Sequence, residues 1–387
     1  MALPISYNVR NLTVRWQVTL LSIVGIGLVV AVFVVLLAMV SGFRLALRAT
    51  GIPGNAMVVQ RGSLDELTSW VPLNQRQLIV VDSRVARDKD GQPLASPEMV
   101  VVTNLPRRVD GMSTNVTLRG VSPKAFEVRG GIEIVKGRGF APGLYEVIVG
   151  ERIAERMAGL DLGTTMKAQK KDWQIVGIFR SRGGAFESEI WGDLDTMGPA
   201  FLRTGGSNSL VVRMKDPSDT PAFDKTIRDD PQMHLQAVAE DQYYADKAGP
   251  VSAALMGLAT FVAIVMGIGA VFGAMNTMYA IVAARTREIG TLRALGFSRR
   301  AILFSFVVES VFLALIGGVI GILLALPTNG LGGATGVGFA ELAFAFKVTP
   351  LTVAIGLAFA VAMGFAGGLL PAFRAARMPI TSALREA

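Results

Sequence analysis

The sequence has 387 residues, 51% of them hydrophobic, and its Lys and Arg residues outnumber Asp and Glu to give a formal charge of +8. That balance is too apolar for an ordinary soluble enzyme of this length, so the chain reads as a membrane protein. With no cysteine, it has no structural disulfide, thiolate zinc site or cysteine nucleophile. Its arginines cluster beside apolar runs, as membrane topology and anionic lipid headgroups require, and no module for nucleic acid is visible.

Residues 1–18, with Tyr7, Val9, Leu12, Val14 and Trp16 among polar positions, read as an amphipathic segment at the cytoplasmic interface. The charge-free run 19–40 is long enough to span a bilayer, exceeds a signal-peptide core and has no small-residue cleavage pattern after it. From 41 to 249 the pattern changes to short apolar segments between turn residues: Ala56–Gln60, Leu78–Asp82, Met99–Val102 and Val116–Leu118. These predict strands of a mixed α+β domain, with Trp173–Phe179 as a buried strand and helices at Glu151–Ala158 and Pro221–Ile227. A second span, 250–284, belongs to a charge-free stretch about 51 Å long as helix, against roughly 30 Å of hydrocarbon. The surplus predicts a stalk rising from the membrane, continuous with the helix-compatible QYYADKAGP upstream.

The segment 285–300, RTREIGTLRALGFSRR, carries five arginines against Glu288, which puts it on the cytoplasmic face. It reads as a helix with Ile289, Leu292 and Leu295 on one face, ended by Gly296 in a left-handed conformation. Ser298 then caps the next helix, with Phe297 and Ile302 at the two positions of a hydrophobic staple. Spans three and four follow at 301–326 and 348–373, joined by a charge-poor outer loop, 327–347, whose glycine-rich run Gly330–Gly338 fits a flexible loop and no phosphate-binding motif. The expected fold is therefore four transmembrane helices with a large α+β domain inserted between the first and second. Both termini, including the tail 374–387 with Arg374, Arg377 and Arg385, fall in the cytoplasm and the large domain outside.

Three glycine pairs at a spacing of four, Gly269 with Gly273, Gly317 with Gly321 and Gly364 with Gly368, mark helix packing within the subunit and a seam with a second copy. Glu309 is the ionisable residue inside a span, which makes it either a structural partner of a neighbouring helix or an ion-coupling group. His234, the sole histidine, has no ligands at metal spacing, and Glu187 and Glu189 are expected on a solvated strand face. No catalytic set, metal site or cofactor motif emerges.

The stretch 285–309 resembles the R-x-R-E-I-G-x-L-R-A-L-G signature, followed by a membrane glutamate, of the MacB/FtsX-type ABC transporter permeases. The tail from Pro371 to Arg385 is similar to the P-A-x-R-A-A-x-x-P-I-x-A-L-R that closes that family. The outer domain resembles its periplasmic core domain in Leu118–Val121, Lys136–Phe140, Val147–Gly150 and Ile175–Ile178. The resemblance implies a dimeric permease of the bacterial inner membrane, itself non-catalytic. Arg287, Glu288, Gly290, Thr291, Arg293, Ala294 and Gly296 would form a coupling helix seated on an ABC ATPase present in two copies, which holds the ATP and Mg. No G-x-x-x-x-G-K-S/T occurs, so that ATPase is expected on a separate polypeptide. The family's mechanism, mechanotransmission, would carry nucleotide-driven motion to the outer domain to export or extract a hydrophobic or amphiphilic substrate, with a periplasmic adaptor as a further partner. The alternatives are an FtsX-like signalling subunit that regulates a cell-wall hydrolase, a subunit of a lipoprotein-extracting complex, and an ion-coupled transporter using Glu309.

Overall fold

The computed structural model describes residues 16–63, 65–337 and 340–379. The amphipathic segment at 1–15, Leu64, Gly338, Phe339 and the tail from Ile380 onward lie outside the described residues. The chain divides into two compact units, one of residues 1–42, 253–331 and 346–387, the other of 43–252 and 332–345.

The first unit is helical. Its helices are α1 (Trp16–Thr50), α7 (Glu240–Ala284), α8 (Thr286–Ala294), α9 (Arg299–Ala325) and α10 (Pro350–Arg377), of which α1 and α7 continue into the second unit. Among the described residues, four helices, all but α8, are long and apolar enough to cross a membrane. Two outrun the predicted spans at their C-terminal ends. The helix of the first runs on to Thr50, because Phe43, Ala46 and Leu47 after the apolar run are themselves buried. Helix α10 continues four residues past Phe373, where the Arg374 guanidinium lies 5.7 Å from the Tyr279 ring centre. Its start is fixed by a capping box, in which Thr349 and Thr352 satisfy each other's backbone amides ahead of Pro350.

The bundle packs on small residues, since apolar lipid gives helices no hydrophobic reason to associate. A Cβ on Gly317 would sit 2.8 Å from the Ile23 carbonyl, and one on Gly321 would fall on the carbonyl of Gly27, so α1 and α9 touch backbone to backbone. Gly364 and Gly368 do the same for α9 and α10 beside Ser310, whose hydroxyl donates to the Gly364 carbonyl at 2.9 Å. Gly269 and Gly273 differ: among the described residues, nothing beyond the helix's own backbone lies within 4 Å of a Cβ at either.

The second unit is built on a ten-stranded mixed sheet. In chain order its strands are β1 (Asn55–Gln60), β2 (Ala95–Pro106), β3 (Ser113–Val121), β4 (Glu133–Gly137), β5 (Glu146–Gly150), β6 (Thr165–Ala168), β7 (Lys171–Arg180), β8 (Glu189–Asp193), β9 (Ser209–Arg213) and β10 (Leu235–Ala239). They lie in the order β10-β1-β9-β2-β3-β8-β5-β7-β4, with β6 on β7. The β3–β8 and β5–β7 pairs are parallel and the others antiparallel. One core cluster gathers Trp173, Ile153 and Met197; another, on the β1–β9–β10 side, gathers Phe223, Ile227 and Val58. Short helices α2 (Leu73–Val80), α3 (Ala125–Arg129), α4 (Glu151–Arg156), α5 (Leu194–Ala200) and α6 (Thr220–Asp229) cover the sheet. The helices expected near 151 and 221 are α4 and α6.

Two expectations fail here. Leu78–Asp82 is not a strand: Leu78 to Val80 end α2, because the run is continuous rather than alternating and follows unbranched helix formers, with Ile79 alone of its apolar residues buried. The loop 327–347 is not a flexible tether. Its glycine-rich run forms β11 (Gly332–Val337), paired antiparallel with β12 (Ala340–Ala345), and the hairpin belongs to the second unit. Phe344 is buried against Phe43, Ser188 exchanges hydrogen bonds with the backbone of Ala343, and Glu341 pairs with Arg156.

Candidate functional site

The segment singled out from sequence is a distinct nine-residue helix, α8, set off from α7 by a break at Arg285. Gly296 has φ +92°, the left-handed conformation expected of a helix stop, and the Ser298 hydroxyl accepts from the Ala301 amide at 3.2 Å to start α9. The helix has two unlike faces. Ile289 and Gly290 are buried, Ile289 in a cluster with Met278, Ile302, Phe306 and Ala372. Arg287, Glu288, Thr291 and Ala294 are exposed. Arg293 is half-buried and reaches back to the Phe297 carbonyl at 3.3 Å. Leu295, assigned from sequence to the face of Ile289, is instead 73% exposed, because the helix ends at Ala294 before the turn that would carry it inward. The outer surface of α8 therefore offers two charges, a hydroxyl and a leucine.

What holds α8 at its angle was not legible from sequence. Glu309, only 3% exposed in α9, accepts from Arg285 at 2.9 Å. The same guanidinium donates to Glu288 at 3.0 Å and lies 5.1 Å from the Phe306 ring centre. A carboxylate inside an apolar bundle is expensive unless paired, and here the residue at the α7–α8 break supplies the pair. Between the two open roles for Glu309, a structural ion pair is the one found. The clue was available: Arg285 and Glu309 bracket a turn that returns the chain on itself.

In the other unit, the first residues of α7 are fastened by buried charge. Glu240, its first residue, is fully buried, accepting from Asn55 at 2.7 Å and ion-paired with Arg129. Arg129 also forks onto both oxygens of Glu98 at 2.7 Å. Arg119, equally buried, binds Glu66 and Glu98 at 2.8 Å and Glu189 at 2.7 Å. Phe186 lies between the two guanidinium groups, 5.2 Å from Arg119 and 4.3 Å from Arg129. Burial alone would favour the neutral acid at Glu66, but the charge of Arg119 outweighs it and holds the group at about 2. Burial likewise opposes charge on Arg119 and Arg129, and the surrounding carboxylates raise both above the ordinary arginine value. The end of α1 is tied in beside them: the Thr50 hydroxyl accepts from the Ala185 amide at 2.6 Å, and Gly51 passes so close that a Cβ would meet the Glu240 carbonyl at 2.8 Å.

Glu187 and Glu189, expected on a solvated face, are therefore both buried. Glu187 pairs with Arg152 at 2.7 Å and accepts from the Ser181 and Gly183 amides; Glu189 takes Arg119 and the Trp191 indole. Glu189 opens β8, which is interior to a mixed sheet where alternation with solvent does not apply, and Glu187 lies not in a strand but in the 3-10 turn Ala185–Ser188 just before it. His234 is exposed, and among the described residues no His, Cys, Asp and Glu cluster could hold a metal.

Residues 19–230 match the family model of the MacB-like periplasmic core domain, and residues 260–380 that of the FtsX-like permease C-terminal domain. Among curated proteins, the macrolide export ATP-binding/permease protein MacB of Nitrobacter winogradskyi is 29% identical over 402 residues, covering 95% of this chain and 57% of that protein. MacB 1/2 of Paracoccus denitrificans is 26% identical over 311 residues, covering 76% and 45%. The chain spans about half the length of the curated relatives it matches. The crystal structure of the periplasmic region of MacB from Actinobacillus actinomycetemcomitans aligns with 51% of this chain and 92% of its own at 12% identity, with a TM-score of 0.38.

Proposed function

The chain belongs to the MacB/FtsX-type permeases, membrane proteins with a large periplasmic domain, and on that premise we propose that it is the permease subunit of an ABC transporter driven by a separate ATPase. The ATPase works as two copies that hold the ATP and Mg, and it grips α8. A second copy of the permease completes the assembly in the bacterial inner membrane, with both termini cytoplasmic. Closure of the ATPase tilts α8, and α7 carries the movement to the periplasmic domain. The substrate is hydrophobic or amphiphilic, in keeping with the export named for the relatives, and a periplasmic adaptor receives it.

The observation that carries this reading is the pair of anchors on one unbroken helix. Helix α7 runs 45 residues, about 68 Å at 1.5 Å per residue. Its first residue is ion-paired to Arg129, and the residue after its last is ion-paired to Glu309. In the proposed mechanism this helix, which contains Pro250, carries the movement from one anchor to the other. On this reading Glu309 serves as the partner of Arg285 and not as an ion-coupling group.

The test is stimulation of the partner ATPase in reconstituted membranes. Glu288→Lys reverses a charge on the exposed face, and Gly296→Val forces a β-branched residue into φ +92°. Each is expected to reduce stimulation by about tenfold, the equivalent of ~1.4 kcal/mol, with membrane insertion unchanged. Glu309→Gln should weaken stimulation without conferring or removing any dependence on an ion gradient. Wild-type stimulation in all three variants would refute the assignment.

A further inference from the structure

The helical unit is lopsided in charge. Its described carboxylates are Glu288 and Glu309, and Arg285 takes both. Arg287, Arg293, Arg299, Arg300, Arg374 and Arg377 then make no ion pair among the described residues. All of these cations are arginine, although the chain uses lysine elsewhere, between 89 and 247 and at 347. An ammonium would serve topology as well as a guanidinium does, so the choice has another reason. A planar guanidinium forks onto two oxygens of one phosphate, which an ammonium cannot do.

Two of the six are arranged for such a grip. Arg374 and Arg377 stand three residues apart near the end of α10, neighbours on one helix face, and both are exposed. Each rests near an aromatic ring, the Arg374 guanidinium 5.7 Å from the centre of Tyr279 in α7 and the Arg377 guanidinium 5.7 Å from that of Phe373. The rings limit the side-chain freedom that binding would remove. Earlier along α10 the same face is apolar: Ala366, Leu370 and Phe373, all exposed, run in line with Arg377 at helical spacing. Hydrocarbon followed by a pair of guanidinium groups matches a phospholipid, with chains first and phosphate last. The other arginines lack this setting. Arg293 is turned to the Phe297 carbonyl, Arg287 lies on the face of α8 assigned to the ATPase, and Arg299 and Arg300, adjacent in sequence, point apart.

We propose that the end of α10, with Tyr279 of α7, is a binding site for an anionic phospholipid of the cytoplasmic leaflet. Arg374 and Arg377 grip the phosphate, and the acyl chains lie along Leu370 and Phe373. A zwitterionic lipid is disfavoured because its own ammonium is repelled by the guanidinium pair. The proposal rests on the reading that this end of the bundle is cytoplasmic. The site also backs onto the seat of α8, since Ile289 shares an apolar cluster with Ala372 and Ala375 on the buried side of the same turns of α10.

The test titrates the detergent-purified full chain with phosphatidylglycerol or with phosphatidylcholine of the same acyl chains and counts bound lipid by native mass spectrometry. Phosphatidylglycerol is expected to bind about tenfold more tightly, and excess inorganic phosphate should not displace it. Arg374→Gln with Arg377→Gln should abolish the preference. Arg374→Lys with Arg377→Lys keeps the charge at the helix end, should leave lipid-free thermal unfolding unchanged and should still lose most of the preference. Arg299→Gln with Arg300→Gln should keep it. Equal binding of the two lipids, displacement by phosphate, a preference untouched by the glutamine or lysine pair at 374 and 377, or the same loss from the pair at 299 and 300 would overturn the proposal. Preference for phosphatidylglycerol in a chain that stimulates no ATPase would support the site and overturn the permease reading. ATPase stimulation without that preference would do the reverse.

Discussion

Arg119 is the side chain that draws the periplasmic unit's buried carboxylates together, for it serves Glu66, Glu98 and Glu189 at once. Removing one member of such a network leaves its partners buried and uncompensated, at a cost of about 3–5 kcal/mol. Arg119→Met is therefore expected to lower the unfolding temperature by roughly 10 °C, taking about 2–4 °C per kcal/mol for a domain of this size, as read by scanning calorimetry. The network also sets the acid limit. Glu66 is lowered from 4.5 to about 2 by folding, so its contribution is complete above about pH 4.5 and disappears as pH falls towards 2. Stability measured down that range should decline more steeply in the wild type than in Glu66→Gln, and equal slopes would contradict the sign. At this scale the sequence was least informative. Side-chain chemistry marked Glu309 as costly, but not Arg285 as its partner. Glu187 and Glu189 were misjudged because Glu189 is covered by β3 and β5 flanking β8 and Glu187 sits in the turn before β8, bonded to Arg152 and two amides, which no local pattern encodes.

Elements were more legible, because periodicity and caps are local. Span positions, the stop at Gly296, the cap at Ser298 and the buried strand at Trp173 all follow from residues within a few positions of each other. The hairpin of β11 and β12 was missed, since glycine-rich sequence reads as freedom unless a partner surface is known. The glycine pairs separate by environment. Gly321 has the Gly27 carbonyl where a Cβ would be, whereas a Cβ on Gly273 would meet nothing among the described residues beyond its own helix's backbone. Gly321→Leu should therefore overpack α1 against α9, costing about 1–3 kcal/mol, and lower the chain's thermal stability in detergent. Gly273→Leu should leave that stability unchanged and reduce cross-linking between two copies, as expected if α7 forms the seam with the second copy. If Gly273→Leu destabilises the single chain as much as Gly321→Leu, that division of roles is wrong.

For the whole molecule, composition was enough to define a membrane protein, and the motif at 285–300 led to the family that the domain matches establish. The sequence offered no sign that the large domain draws on three separated stretches of chain: the end of α1, the main insertion through the start of α7, and the hairpin between α9 and α10. Such an assembly depends on contacts across more than a hundred residues, as between Ser188 and Ala343. In the proposed mechanism, α8 is the place where the drive enters.

The most direct measurement exploits the absence of cysteine from the chain. Thr291→Cys puts a single thiol on the exposed face of α8, to be labelled with a membrane-impermeant maleimide in intact spheroplasts and in inside-out vesicles, with and without the partner ATPase. The account predicts labelling in inside-out vesicles alone, suppressed when the ATPase is bound. Labelling in spheroplasts, or labelling in vesicles that is indifferent to the ATPase, would contradict it.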